Sequence, residues 1–230
     1  MKKTLHHNLK LFKNNLNIAL EKLRDIPIST KTDEVSTPLY LHKNFLIRKI
    51  FINRLITAYK MSSFSQKKIL DFGCGSGIFL QAISHEIKEG IGVDLNIDIA
   101  KKIITSKNIS LKQITDEKDI LNFSNIDIIT SFDVLEHVKK LDSVIDIFKK
   151  ILSPDGIIII SGPTENFLYR LGRKITRMGL VGNILGEEEH VTNIIEIKEK
   201  MKMKKLNIEK NINIWNGFHV ISFSLNKKYD

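Results

Sequence analysis

Asp71-Phe72-Gly73-Cys74-Gly75-Ser76-Gly77 brings a carboxylate and glycines at alternate positions into one short stretch. The apolar run Lys68-Ile69-Leu70 leads into it and a helical pattern follows at once. The spacing therefore predicts a loop at the carboxyl end of a first strand, where open α/β sheets bind ligands. Gly73, Gly75 and Gly77 let the backbone approach a ligand and adopt φ > 0 where a side chain would clash. Asp71 would repel a pyrophosphate and attract an ammonium group. Together with the Gly-x-Gly-x-Gly spacing, this sets the loop apart from the Gly-x-Gly-x-x-Gly of dinucleotide sites. A second strand, Gly90-Ile91-Gly92-Val93-Asp94, again ends in a carboxylate. An acid at that place can accept from two neighbouring ribose hydroxyls. The competing role for Asp94 is that of an acid ahead of the helix after Asn96.

A second cluster is Asp133-Val134-Leu135-Glu136-His137. In a helix, Asp133, Glu136 and His137 would stand at i, i+3 and i+4 on one face. Such a face could hold a divalent cation such as Mg²⁺ through hard oxygen ligands. The alternative is a structural cluster that orients a substrate loop. His137 is the first candidate for a general base, because imidazole titrates near neutral pH. His190, in Gly186-Glu187-Glu188-Glu189-His190-Val191, is the second. Its other reading is a helix-start residue after a solvated acidic run.

These residues need elements to hold them. Residues 5–25 and 39–61 carry apolar positions at helical spacing: Leu9, Phe12, Leu16 and Leu20 in the first, Leu46, Ile50, Phe51 and Leu55 in the second. Two amphipathic helices are expected, separated by a loop at Pro27–Asp33. From residue 67 short apolar runs alternate with helical segments, the signature of a parallel sheet covered by helices. Strands are expected near 67–72, 90–94, 109–114, 126–132 and 155–161, with helices near 77–87, 96–106 and 138–152. Ser153-Pro154-Asp155-Gly156 reads as a sharp break before the fifth strand. A further helix is expected to start at Pro163, exposing Arg170, Arg173 and Lys174, and a Lys-rich helix near 192–205. Leu206–Ile214 and Phe218–Leu225 then form a closing hairpin across Trp215-Asn216-Gly217. The expected organisation is an N-terminal helical cap over 1–66 and an α/β domain over 67–230, with an insertion at 163–205 covering the site.

The 230 residues, 42% hydrophobic and 27% charged, suit a globular protein. No apolar run approaches the roughly 20 residues of a membrane span, and the N-terminus has no signal-peptide pattern, so a cytoplasmic protein is expected. Cys74 is the single cysteine, which excludes an internal disulfide and a cysteine zinc cluster. The net charge of +10 lies outside residues 67–161, which are slightly acidic, and most of the 36 basic residues are lysine. That is a lysine-rich surface rather than a nucleic-acid footprint. Phe45–Arg54 and the start of the insertion add a basic, apolar surface suited to a membrane face, although packing onto the sheet explains the same stripe.

From Ile69–Leu80 and Asp94 onward the chain resembles the class I S-adenosylmethionine (AdoMet) dependent methyltransferases over about residues 67–161. Asp127–Phe132 resembles their fourth strand, whose end lies beside the methyl donor, and Leu152–Ile160 resembles their turn into strand five. Thr115–Leu121 resembles the segment that hydrogen-bonds adenine, with Asp116 and Asp119 both open for that role. Asp133–His137 is similar to the Glu-x-x-Glu-His of quinone-pathway O-methyltransferases, where carboxylates and histidine bind a cation; here Asp133 replaces the first Glu. The resemblance implies a Rossmann-like three-layer αβα fold, its seven-stranded, mostly parallel sheet ending in an antiparallel strand. It implies AdoMet held by Asp71, Gly73, Cys74, Gly75, Gly77, Asp94, Leu95, Asp116, Ser131 and Phe132. It also implies methyl transfer to an oxygen of a small molecule, such as a quinone precursor or a lipid-linked or glycan-type acceptor. The Asn/Asp-Pro-Pro-aromatic sequence of amino-group methyltransferases is replaced by Ser131-Phe132-Asp133-Val134, which disfavours methylation of bases. RNA or protein methylation, and a non-catalytic AdoMet-binding module, stand as the alternatives.

Overall fold

A computed structural model describes residues 2–26, 37–164, 192–214 and 218–226. Seven strands form one sheet of order β3-β2-β1-β4-β5-β7-β6, the mixed α/β sheet expected. The chain divides into two compact units, Met1–Asp116 and Glu117–Asp230. Among the described residues no helix is long and apolar enough to cross a membrane.

In the first unit, α1 (Lys2–Arg24) buries Phe12, Leu16, Ala19, Leu20 and Leu23, a stripe at helical spacing. The second expected helix is two. A short α2 (Thr37–Tyr40) is followed by a turn and α3 (Phe45–Met61). Asn44 causes the restart: its side chain accepts the Leu46 N–H at 2.8 Å and caps a free helix terminus. The buried face of α3 is also rotated from the expected one. Leu46 is 51% and Phe45 60% exposed, whereas Arg54 is buried between the Phe51 and Tyr40 rings, donating to the Tyr40 hydroxyl at 2.7 Å. Arg54 thus leaves the basic surface to which the sequence assigned it.

The sheet half of this unit contains β1 (Lys68–Phe72), α4 (Ile78–Ile83), β2 (Glu89–Asp94), α5 (Asp98–Ile103) and β3 (Ile109–Gln113). β1 pairs with β2 and β2 with β3, both parallel. The Phe12 ring stacks on Tyr59 at 4.1 Å, Tyr59 on Phe64 at 5.7 Å, and Phe79 of α4 meets Phe12 and Phe64 edge-on. Burial and a hydrogen bond to Glu86 push the Tyr59 hydroxyl well above its ordinary pKa. This aromatic block anchors the N-terminal helices to the helix that follows the glycine loop.

In the second unit, a 3₁₀ turn (Glu117–Asn122) precedes β4 (Ile126–Phe132), a second 3₁₀ turn (Leu135–His137), α6 (Leu141–Ile151) and β5 (Leu152–Pro163). Helix α7 (Ile194–Met203) and the hairpin β6 (Leu206–Ile214) and β7 (Phe218–Leu225) complete it. The hairpin strands have the expected bounds and β7 runs antiparallel to β5. The expected break at Ser153–Gly156 is absent, because β5 starts at Leu152 and runs through it. An irregularity in β4–β5 pairing between Ile126 and Ile128 absorbs the extra residues. Gly156 permits the close passage: a Cβ there would lie 2.6 Å from Leu152 Cγ and 2.9 Å from the Ile126 carbonyl. Pro163 ends β5, paired with Phe218, instead of opening a helix. Residues 165–191, with His190, lie outside the described residues.

Candidate functional site

In the first unit, β1 delivers a buried Asp71 into the loop. The N–H groups of Gly73 and Cys74 both donate to the Val93 carbonyl, at 2.9 and 3.0 Å, which ties the loop down onto β2. Gly73, Gly75 and Gly77 all have positive φ, between 56° and 73°, a region costly for any residue with a Cβ. At Gly77 space is also short, since a Cβ would lie 2.7 Å from Ile104 Cδ1. Cys74 is buried, and a Cβ on Gly92 would come 3.0 Å from its sulfur. Its role is to fit a small side chain over β2.

Asp94 closes this arrangement. Its Oδ2 accepts the Gly75 N–H at 2.9 Å and its Oδ1 the Asn96 N–H at 3.3 Å. Burial raises its pKa above the ordinary carboxylate value, outweighing the opposing backbone N–H groups of Gly75, Asn96 and Leu95. A carboxylate can accept about four hydrogen bonds, so Asp94 keeps capacity for a ligand's hydroxyl groups. Next to it, Leu95 is 70% exposed, an apolar side chain presented to solvent beside a polar anchor. The loop, Asp94 and Leu95 fit a ribose-bearing ligand with an apolar base. Asp116 is exposed at the end of this unit, whereas Asp119 is half-buried within the first 3₁₀ turn of the second.

In the second unit, β4 ends in Ser131 and Phe132, both buried. The Ser131 hydroxyl has no hydrogen-bond partner among the described residues. The acid–histidine cluster departs from the expected helix. Asp133 has φ +56°, its N–H donates to the Ser161 carbonyl at 3.0 Å, and its Oδ1 accepts the Ser161 hydroxyl at 3.3 Å. Only Leu135–His137 coils, as a 3₁₀ turn. Glu136 is 1% exposed and packs toward β5, where a Cβ on Gly162 would come 3.7 Å from its Oε2. Its carbonyl accepts the Thr192 N–H ahead of α7 at 3.3 Å. His137 is half-buried in the same turn.

The shared helical face of Asp133, Glu136 and His137 is therefore corrected. A left-handed residue at 133 takes Asp133 out of register with the other two, and its carboxylate is turned to Ser161. Among the described residues no three His, Cys, Asp or Glu side chains form a metal-holding group. These residues do not fit the cation expected of them.

Sequence reasoning missed two contributors. Ser161 lies opposite Phe132 in the β4–β5 register, and Gln113 lies opposite Asp94 in the β2–β3 register. Aligning strand ends would have found both.

A family profile described as a methyltransferase domain matches residues 41–200. Ubiquinone biosynthesis O-methyltransferase from Actinobacillus pleuropneumoniae serotype 7 is 32% identical over 105 residues, 41% of this chain and 45% of that protein. The enzyme of the same name from Glaesserella parasuis is 35% identical over 123 residues, 48% of this chain and 52% of that one. The matched region thus spans about half the length of these relatives. Among solved structures, the N-methyltransferase NodS from Bradyrhizobium japonicum, in complex with S-adenosyl-L-homocysteine, is 17% identical with a TM-score of 0.60, covering 93% of this chain and all of that one. A SAM dependent methyltransferase from Aquifex aeolicus is 12% identical with a TM-score of 0.63, covering 83% and 97%. These likenesses establish the fold, and the profile match establishes the family: the chain belongs to the methyltransferase domain family.

Proposed function

We propose that this member of the methyltransferase domain family transfers a methyl group from AdoMet to an oxygen of a small-molecule acceptor. The observation that carries the AdoMet half is the Asp94 carboxylate, held by the Gly75 N–H at 2.9 Å while retaining capacity for hydroxyl donors. AdoMet, when bound, supplies an electrophilic methyl group on a sulfonium. Asp94 accepts from the ribose hydroxyls, Leu95 offers an apolar face to the base, and the glycines let the loop backbone approach. Asp71 complements the ammonium end through its charge, and Asp116 and the Ser131-Phe132 strand end complete the assigned contacts.

The chain's remaining work is to align the acceptor and exclude water. A hydroxyl acceptor loses its proton as its oxygen takes the methyl group. His137 is assigned to receive that proton, with His190 the second candidate. Glu136 and Asp133 are assigned to hold the 3₁₀ turn that carries His137, through Thr192 and Ser161. No step is routed through a cation. The oxygen acceptor and a quinone-precursor class are favoured by the relatives named ubiquinone biosynthesis O-methyltransferase.

The test is labelled methyl transfer from AdoMet into fractionated lipids, glycans and RNA. Label in a small phenolic or lipid-linked fraction supports the reading. Label confined to RNA or protein overturns the acceptor class, and tight AdoMet binding with no transfer to any fraction overturns the activity.

A further inference from the structure

We propose that Gln113 is a positioning residue for nucleoside recognition, holding Leu95 in place as a wall for the purine base. The inference rests on the reading that Asp94 and Leu95 receive the nucleoside.

β2 and β3 run parallel with Asp94 opposite Gln113 as their last pair. Beyond that pair the ladder stops and the backbone of residue 95 has no strand partner to continue it. Two hydrogen bonds replace the ladder. The Ile114 N–H donates to the Asp94 carbonyl at 2.9 Å, and the Gln113 side-chain amide donates from Nε2 to the Leu95 carbonyl at 2.8 Å. On the other side, the Asn96 N–H donates to Asp94 Oδ1 at 3.3 Å, and the Asp98 N–H to Asn96 Oδ1 at 2.9 Å. The turn carrying Leu95 is therefore pinned from β3 and from the start of α5.

Fixing this turn leaves a leucine side chain 70% exposed, which contributes nothing to packing within the fold. An apolar side chain held in water beside a hydrogen-bonding carboxylate suits a ligand with a planar apolar face joined to vicinal hydroxyls. Such a wall contributes fully only if it is already ordered, because ordering a loop on binding subtracts from affinity. Gln113 touches no ligand in this scheme; it acts through Leu95.

The experiment is calorimetric titration of S-adenosylhomocysteine into wild type and the full-length variants Gln113→Ala, Gln113→Glu, Leu95→Ala, the Gln113→Ala/Leu95→Ala double variant and Asp94→Ala. Loss of one solvent-exposed hydrogen bond predicts a Kd about three- to tenfold higher for Gln113→Ala. Gln113→Glu, which turns an acceptor toward the Leu95 carbonyl, weakens binding further. The KM for AdoMet rises by the same factor while kcat at saturation holds, and the Gln113→Ala effect shrinks in the Leu95→Ala background because both act on one wall. Wild-type affinity in both Gln113 variants, with Asp94→Ala weakened, overturns the inference and leaves the nucleoside site standing. Wild-type affinity in Asp94→Ala as well removes the site itself. A fall in kcat together with the melting temperature of the unliganded protein, or effects that simply add in the double variant, also overturns the inference, because Gln113 would then act on the fold at large.

Discussion

Asp94 opposes its own burial, and the opposition has a measurable sign. Its folded pKa lies above the ordinary carboxylate value. The stability it contributes is therefore fully present below the unfolded pKa and lost as pH rises through the folded one. At neutral pH the unliganded protein carries an ionised, half-buried acid whose compensation is a hydroxyl-bearing ligand. Asp94→Asn is accordingly expected to flatten the melting temperature of the unliganded protein across the acidic range, checked by thermal denaturation against pH. AdoMet affinity of the wild type should fall as pH drops through the raised pKa, since the neutral acid accepts more weakly; a pH series of titrations checks this. His137→Ala is expected to lower kcat by about 10²–10⁴ if the histidine acts as general base, with the Kd for AdoMet unchanged. Because Asp133 is turned to Ser161 at 3.3 Å, turnover should survive a chelator, and loss of activity in EDTA restored by Mg²⁺ would contradict that reading. At this scale Asp71, the glycines and Asp94 were legible because a strand, a tight loop and a terminal acid leave a local pattern. The orientation of Asp133 was not legible, because a positive φ at a non-glycine residue is imposed by the neighbouring strand and not by its own side chain.

Among the elements, β5 carries the sharpest steric test. Gly156 leaves room for the Leu152 side chain and the Ile126 carbonyl, so Gly156→Ala should destabilise by about 1–3 kcal/mol, the usual cost of overpacking. Urea denaturation measures it, with AdoMet affinity as a separate readout. The sequence reads as a turn at Ser153-Pro154-Asp155-Gly156 because each of those residues favours one locally. The β4–β5 pairing overrides that preference through a bulge, a tertiary effect no local window contains. The split of α2 from α3 was likewise hidden, although Asn44 is a good N-cap residue. By contrast, the β6–β7 hairpin was readable to its ends, since alternation over two runs around Trp215-Asn216-Gly217 leaves little freedom of register.

For the whole molecule, the strand order β3-β2-β1-β4-β5-β7-β6 and the methyltransferase-domain match over 41–200 agree on one fold, and the AdoMet assignment rests on the glycine loop and Asp94 within it. The acceptor was least legible, since it depends on the N-terminal helices and on residues 163–205, whose patterns describe packing better than chemistry. The buried Arg54 is the clearest instance: its charge read as surface, and its place between Tyr40 and Phe51 comes from the way α2 and α3 pack. The most direct test of the central claim is a comparison of AdoMet, S-adenosylhomocysteine and NAD as ligands of the wild type and Asp94→Ala by thermal shift and calorimetry. The expected result is that both sulfur nucleosides raise the melting temperature of the wild type, NAD leaves it unchanged, and Asp94→Ala loses several-fold or more of the affinity. Equal stabilisation by NAD, or an unaltered dissociation constant in Asp94→Ala, would contradict it.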